Sequence, residues 1–246
     1  MRLADVERFQ RRQVRWFLRF YGAALVVNVF TEWQSGVWHV HTGALYPWRH
    51  LPMVPLYPVW CLAIEWAVTA GAAIALATSR RPAVVRIASR VAAAATFVAV
   101  LQRYSNHGVL LFLVALYLAI EPPDLEDPSF EEAKHPALGL VRAQLVIVYV
   151  FSAINKLSHG FIRGDVLVTL LGFSPTLARA GACVVVVVEL ALPAVLVCAP
   201  RAGIAMVVAL HAAFTLAMPN VGSFGLAMVS CALLFLPMHR GRKLTM

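Results

Sequence analysis

Residues 144–157, QLVIVYVFSAINKL, form an apolar run that closes on a lysine. The run extends back to about residue 138, which predicts a helix over about 138–156. Roughly 20 largely apolar residues are needed to cross a hydrocarbon layer about 30 Å thick, and this segment is of that length.

Comparable runs recur on both sides of it. They predict helices at about 16–33, 59–78, 83–103, 108–121, 178–198, 202–218 and 222–238. The composition agrees, with 61% hydrophobic and 13% charged residues and a mean hydropathy of +0.75. A soluble core needs no such excess. The expected fold is therefore an all-α, polytopic integral membrane bundle of about eight membrane segments, a single domain over 1–246. The fourth segment is short, and RGDVLVTLLGFSP after Lys156 reads as a re-entrant or interfacial piece.

The net charge of +9 is informative through its distribution. With the N-terminus inside, sixteen of the 21 Lys and Arg fall in cytoplasmic segments, among them a basic collar at 1–15 and a basic tail at 239–246. The positive-inside rule then predicts both termini in the cytoplasm. The expected partner is the lipid bilayer, with no nucleic acid. The collar runs into the first helix without a small-residue cleavage site and is not read as a signal peptide. The acidic loop EPPDLEDPSFEEAK reads as a solvated inner connector.

On the extracytoplasmic side this topology gathers WHVHTGALYPWRHLP, QRYSNHG and NKLSHGFIRGD, with five of the eight histidines and Lys156. Tyr149, Ser152 and Lys156 are spaced by three and four, so they share one helix face. A lysine at mid-bilayer costs about 2.5–3.5 kcal/mol on insertion scales, and less near the interface, where its stem snorkels. Lys156 is thus either an interfacial anchor or, held neutral in an apolar setting, a general base.

Asn106 and His107 sit in a turn on the same face as Lys156. Glu189 and His211 each lie eleven residues from Pro200, about 16 Å deep at 1.5 Å per residue. They are expected to form a buried polar pair, either structural or a proton relay. Glu65, Gln102 and Arg103 are further intramembrane polar groups that could line the same outer cavity.

No metal is expected. His39, His41 and His50 lack a neighbouring Cys or carboxylate cluster apart from Glu32. Cys61, Cys183, Cys198 and Cys231 show neither a CxxC pair nor a disulfide framework.

QLVIVYVFSAINKL resembles the segment that carries the base lysine in vitamin K-dependent gamma-carboxylase and in the bacterial HTTM (horizontally transferred transmembrane) domain family. Gln144, Ile147, Val148, Tyr149, Lys156 and Leu157 fall in that family's order and spacing. An arginine-led first helix, YSNHG, VELALP and LHAAFTLAMPNVGSFGLAM extend the resemblance over about 15–238.

The resemblance implies a quinol- and oxygen-dependent membrane enzyme, vitamin K-dependent carboxylase- or epoxidase-like. Lys156 would deprotonate a reduced, vitamin K-like quinone, with O2 and CO2 as co-substrates. In the family's animal enzyme, oxygen converts the quinol to an epoxide through a strongly basic alkoxide, which removes a glutamate γ-proton before CO2 adds. His107 matches a histidine linked to the carboxylation half, and His211 a histidine of a later helix pair. Asn106, Tyr149, Ser152 and Arg103 are the candidates for holding the cofactor.

Asn155 stands where the animal enzyme has a second lysine, and no counterpart of its large lumenal region appears. The expected substrate is therefore small, or a peptide presented by a partner, at the extracytoplasmic face of a bacterial inner membrane. The alternative is a non-enzymatic HTTM-type component that matures or exports a secreted peptide.

Overall fold

The computed structural model describes residues 3–37, 55–127, 130, 135–218 and 221–236. The expectations for His39, His41 and His50, and for the tail at 239–246, lie outside these residues. Among the described residues the fold is all-helical, with no strand.

The helices are α1 (Leu3–Gln34), α2 (Val59–Thr78), α3 (Pro82–Gln102), α4 (Asn106–Ile120) and α5 (Pro136–Ser158). They are followed by α6 (Asp165–Leu171), α7 (Pro175–Cys198), α8 (Pro200–Ala217) and α9 (Gly222–Leu233). Five of them (α2, α3, α5, α7 and α8) are long and apolar enough to cross a bilayer, and α4 and α9 are shorter apolar helices. Their outward faces carry large apolar side chains such as Ile74, Ile87, Ile147, Val187 and Leu216, as lipid contact requires.

Local chemistry sets the helix ends. Pro82, Pro136, Pro175 and Pro200 occupy the first turns of α3, α5, α7 and α8, where a missing N–H removes no intrahelical bond. Ser105 caps α4 by accepting from the Gly108 N–H at 2.9 Å.

The first helix begins at Leu3, well before the expected residue 16. One face of the collar is buried against the rest of the bundle, and several of its side chains bond distant carbonyls. Gln13 Nε2 donates to the Leu233 carbonyl at 2.7 Å, and the Arg11 guanidinium donates to the carbonyls of Leu125 and Asp127 at 3.1 and 2.8 Å. Arg142 Nε likewise donates to the Leu234 carbonyl at 2.8 Å. These bonds gather the starts of α1 and α5, the 121–127 loop and the end of α9 at one basic end of the bundle.

The first and last helices pack against each other along their lengths, and α1 also packs closely on α2. A Cβ at Gly22 would lie 2.6 Å from the Ala73 carbonyl and 3.0 Å from the Ala77 Cβ. Small residues let these backbones approach, the usual source of helix association in lipid. The core between them holds Phe17, Tyr21, Leu25, Leu76 and Leu111, with the Tyr21 hydroxyl donating to the Leu111 carbonyl at 2.5 Å. The piece after Lys156, expected to be re-entrant or interfacial, is a 3-10 turn (Phe161–Arg163) and the seven-residue α6, which leans on α7 and has no buried residue.

Candidate functional site

Lys156 lies in the last turn of α5, where a cation complements the helix C-terminus. The helix ends two residues later at Ser158, with the capping His159 Nδ1 against the Asn155 carbonyl at 2.9 Å and Gly160 in the left-handed region. Helical side chains lean toward the N-terminus, so the lysine stem runs back over the preceding turn. Its ammonium donates to Ser152 Oγ at 2.6 Å and to both oxygens of Glu189, each at 2.7 Å. Ser152 Oγ also donates to Glu189 Oε1 at 3.2 Å, which closes a triad.

Glu189 comes from α7 and is only 3% exposed. Four residues on, Pro193 has no N–H to return to the Glu189 carbonyl, so the α7 ladder is interrupted beside the ion pair. The rings of Phe161 and Phe214 lie 5.7 and 5.8 Å from the ammonium. This aromatic surround suits a cation held away from water.

The expected pairing of Glu189 with His211 is corrected. Glu189 bonds Lys156, whereas His211 shares a 3.0 Å hydrogen bond between its Nε2 and the Tyr149 hydroxyl. Depth matched the two residues, but rotation about each helix sends them to different partners on α5. His211 and Tyr149 are both buried. A Cβ at Gly225 would lie 3.2 Å from the His211 Cβ, so α9 passes close over this histidine. Next to it, the Phe224 ring stands 5.4 Å from His211 and 4.9 Å from His107. His107 therefore reaches the cluster through an aromatic ring.

A cavity of about 420 Å³ opens between α4, α5 and α9. Val148, Phe151 and Phe224 form apolar walls, and Asn106, Gln144, Ser152 and Asn155 supply polar edges. Ser152 is the residue that belongs to both the cavity and the triad. Gln144 is in addition held by the Tyr117 hydroxyl at 3.2 Å. A second, almost wholly apolar cavity of about 740 Å³ runs between α1, α8 and α9, with His211 and Gly225 in its wall.

Arg103 does not line the first cavity. Its guanidinium sits between Glu65 and Glu32, at 2.5 and 2.9 Å, and also donates to the Tyr57 hydroxyl at 2.8 Å. Tyr57 also donates to Glu65, Trp66 Nε1 donates to Glu32 at 2.9 Å, and Gln102 brackets the Pro55–Tyr57 backbone. Asn28 on α1 donates to Glu32 at 3.1 Å and accepts from Ser223 on α9 at 3.3 Å. Glu65, Gln102 and Arg103 thus come together in a clamp on the ends of α1, α2 and α3, with Glu32 as the partner that spacing did not reveal. Phe224 was also missed, because an aromatic in an apolar helix carries no signal of its own.

Among the described residues no group of three His, Cys, Asp or Glu side chains is placed to hold a metal ion. Compared with protein-family models, with curated proteins and with solved structures, the chain finds no match in any of the three.

Proposed function

We propose that this chain is a membrane enzyme of the gamma-carboxylase membrane-domain (HTTM) type. In this proposal it spans the bilayer about eight times with both termini cytoplasmic, and Lys156 acts as base toward a reduced quinone at the extracytoplasmic face. The observation that carries the proposal is the Lys156–Ser152–Glu189 triad at the edge of the 420 Å³ cavity.

The cavity lining suits a flat ring with oxygens at its rim. Apolar walls from Val148, Phe151 and Phe224 can sandwich the ring, and Asn106, Gln144, Ser152 and Asn155 can bond its oxygens. A bound reduced quinone would supply an acidic ring hydroxyl and the electrons that O2, as oxidant, takes up.

The protein groups supply proton transfer and charge. A lysine and a carboxylate in contact share one proton between amine and oxygen, so the pair can take up a proton as a unit. Ser152, bonded to both partners and facing the cavity, can pass that proton inward, while the ammonium offsets negative charge left on a ligand. The Tyr149–His211 bond holds the neighbouring imidazole in a fixed orientation.

The decisive experiment is purification in mild detergent, followed by lipid extraction and mass spectrometry for a co-purifying quinone, in the parent protein and in Lys156→Ala. The expected result is a quinone that is lost in the variant, with epoxide forming only in the parent on incubation with reduced vitamin K and oxygen. Finding neither the quinone nor the epoxide in the parent would refute the proposal.

A second reading, a non-enzymatic component for maturing or exporting a secreted peptide, draws on the same triad. All three ammonium hydrogens of Lys156 have acceptors, as in a static brace. On this reading Lys156→Arg preserves function, and on the enzymatic one it does not.

A further inference from the structure

At the basic end of the bundle, far from Lys156, a narrow cleft separates α1 from the turn between α2 and α3. Arg15, Arg19 and Arg80 rim it with Ser79, and Leu18 and Leu76 form its floor. No carboxylate lines it.

Three guanidinium groups around one cleft repel one another, and little in the protein relieves them. Arg15 Nε is buried and has no hydrogen-bond partner among the described residues. A buried, unmatched donor on a charged group is costly, and an anion at the mouth of the cleft would offset the charge that Arg15 shares with Arg19 and Arg80. Ser79 Oγ accepts from the Arg81 N–H at 3.2 Å, so its own hydroxyl hydrogen remains available to an acceptor in the cleft.

The position of the cleft along α1 identifies the kind of anion. Trp16, exposed on α1, lies under the Arg19 guanidinium at 5.0 Å. Exposed tryptophans mark the headgroup level of a bilayer, and Trp33, also exposed, stands about 25 Å further along the same helix at 1.5 Å per residue. That separation is close to the thickness of a hydrocarbon core, so the cleft is level with the phosphates of one leaflet. Arg8, Arg11 and Arg12 continue the basic stripe beyond it at helical spacing.

We propose that the mouth of this cleft, whose interior of about 20 Å³ has room for about one water, is a binding site for the phosphate of an anionic phospholipid, held by Arg15, Arg19 and Arg80 with the Ser79 hydroxyl. The exposed face beside Trp16 accommodates the acyl chains. The site is independent of the chemistry assigned to Lys156.

The test uses the full chain in detergent, titrated with phosphatidylglycerol or phosphatidylcholine and read by native mass spectrometry. Parallel thermal unfolding is run with millimolar inorganic phosphate in place of lipid. Phosphatidylglycerol is expected to bind at least roughly tenfold more tightly than phosphatidylcholine, and Arg80→Glu to remove that preference, since each arginine near a lipid surface contributes about 1 kcal/mol. Arg80 is exposed at a turn, so its replacement leaves the core intact; size-exclusion profiles confirm this, and Arg80→Gln gives the same test with a smaller charge change. Arg201→Glu, at the start of α8, is expected to leave the preference unchanged. Equal affinity for the two lipids, or an unaltered preference in Arg80→Glu and Arg80→Gln, overturns the proposal. Full stabilisation by inorganic phosphate alone overturns the lipid assignment in favour of a free phosphate.

Discussion

At the end of the bundle opposite the arginine-rich collar, Arg103 is held between two carboxylates, whereas Lys156 is held by one. The Arg103 cluster is flanked by Tyr57, Trp66 and Gln102, which tie three helix ends together, while Arg103 Nε stays buried without a partner among the described residues. The Lys156 cluster adjoins a cavity through Ser152. Both are partly buried ion pairs, and among the described residues the 420 Å³ cavity adjoins the Lys156 pair and not the Arg103 one. In a membrane protein, then, the presence of buried charge is a poor guide to chemistry, and the space beside it is a better one.

The largest effects should come from breaking each pair. Arg103→Met leaves two carboxylates facing each other and is expected to cost about 3–5 kcal/mol, measured by thermal or SDS-induced unfolding. No single second substitution should recover it. Lys156→Met also strands a carboxylate, but Lys156→Met with Glu189→Leu is expected to return to within about 1 kcal/mol of the parent, because a well-packed apolar pair can replace a buried ion pair. If the double variant were as unstable as the single one, the triad would be a structural clamp like that of Arg103.

Next in size is Gly225→Val. Its side chain would press on the His211 Cβ and push α9 from α8, at a cost of about 1–3 kcal/mol in the same unfolding assay. Tyr149→Phe removes one buried hydrogen bond to His211 and should cost about 1–2 kcal/mol. Trp66→Phe provides the matching change in the Arg103 cluster.

The smallest effect lies at the other end of the molecule. His135 precedes α5 outside the membrane segments, and burial holds its pKa below the ordinary 6.5 despite the opposing pull of Glu121. The folded chain therefore binds fewer protons there than the unfolded chain. This contribution to stability is complete above pH 6.5 and is lost as the pH falls from there through the depressed folded value. Melting temperatures recorded between pH 7 and about 5 should decline less in His135→Phe. Acid sensitivity that survives this change would have to be sought in the two membrane clusters.

Much of the helical layout is legible from hydropathy, because lipid-facing and core-facing residues are both apolar and the polar breaks between runs are sharp. The face shared by Tyr149, Ser152 and Lys156 follows from helical periodicity, and the Lys156–Ser152 bond lies along it. Partner choice across helices is not legible in the same way. Glu189 and His211 match in depth, but depth leaves rotation about the helix axis undetermined, and rotation assigns one to Lys156 and the other to Tyr149. Glu32, Glu65 and Arg103 are separated by 33 and 38 residues, and no local pattern links them. The helical collar escaped notice because its arginines suggested a solvated tail, while Gln13 and Arg11 in fact bond carbonyls of distant elements.

The close pairing of α1 with α9 bears on how the protein is made. The first helix is synthesised long before the last, and the carbonyl that receives Gln13 belongs to Leu233. Until α9 emerges, Gln13 lacks the carbonyl that receives its side-chain amide, and the part of α1 that packs on α9 has only α2 and the other earlier helices to cover it. Nearly completed chains are therefore the stage most in need of a membrane chaperone, and a premature stop before residue 222 removes the helix that seals the bundle.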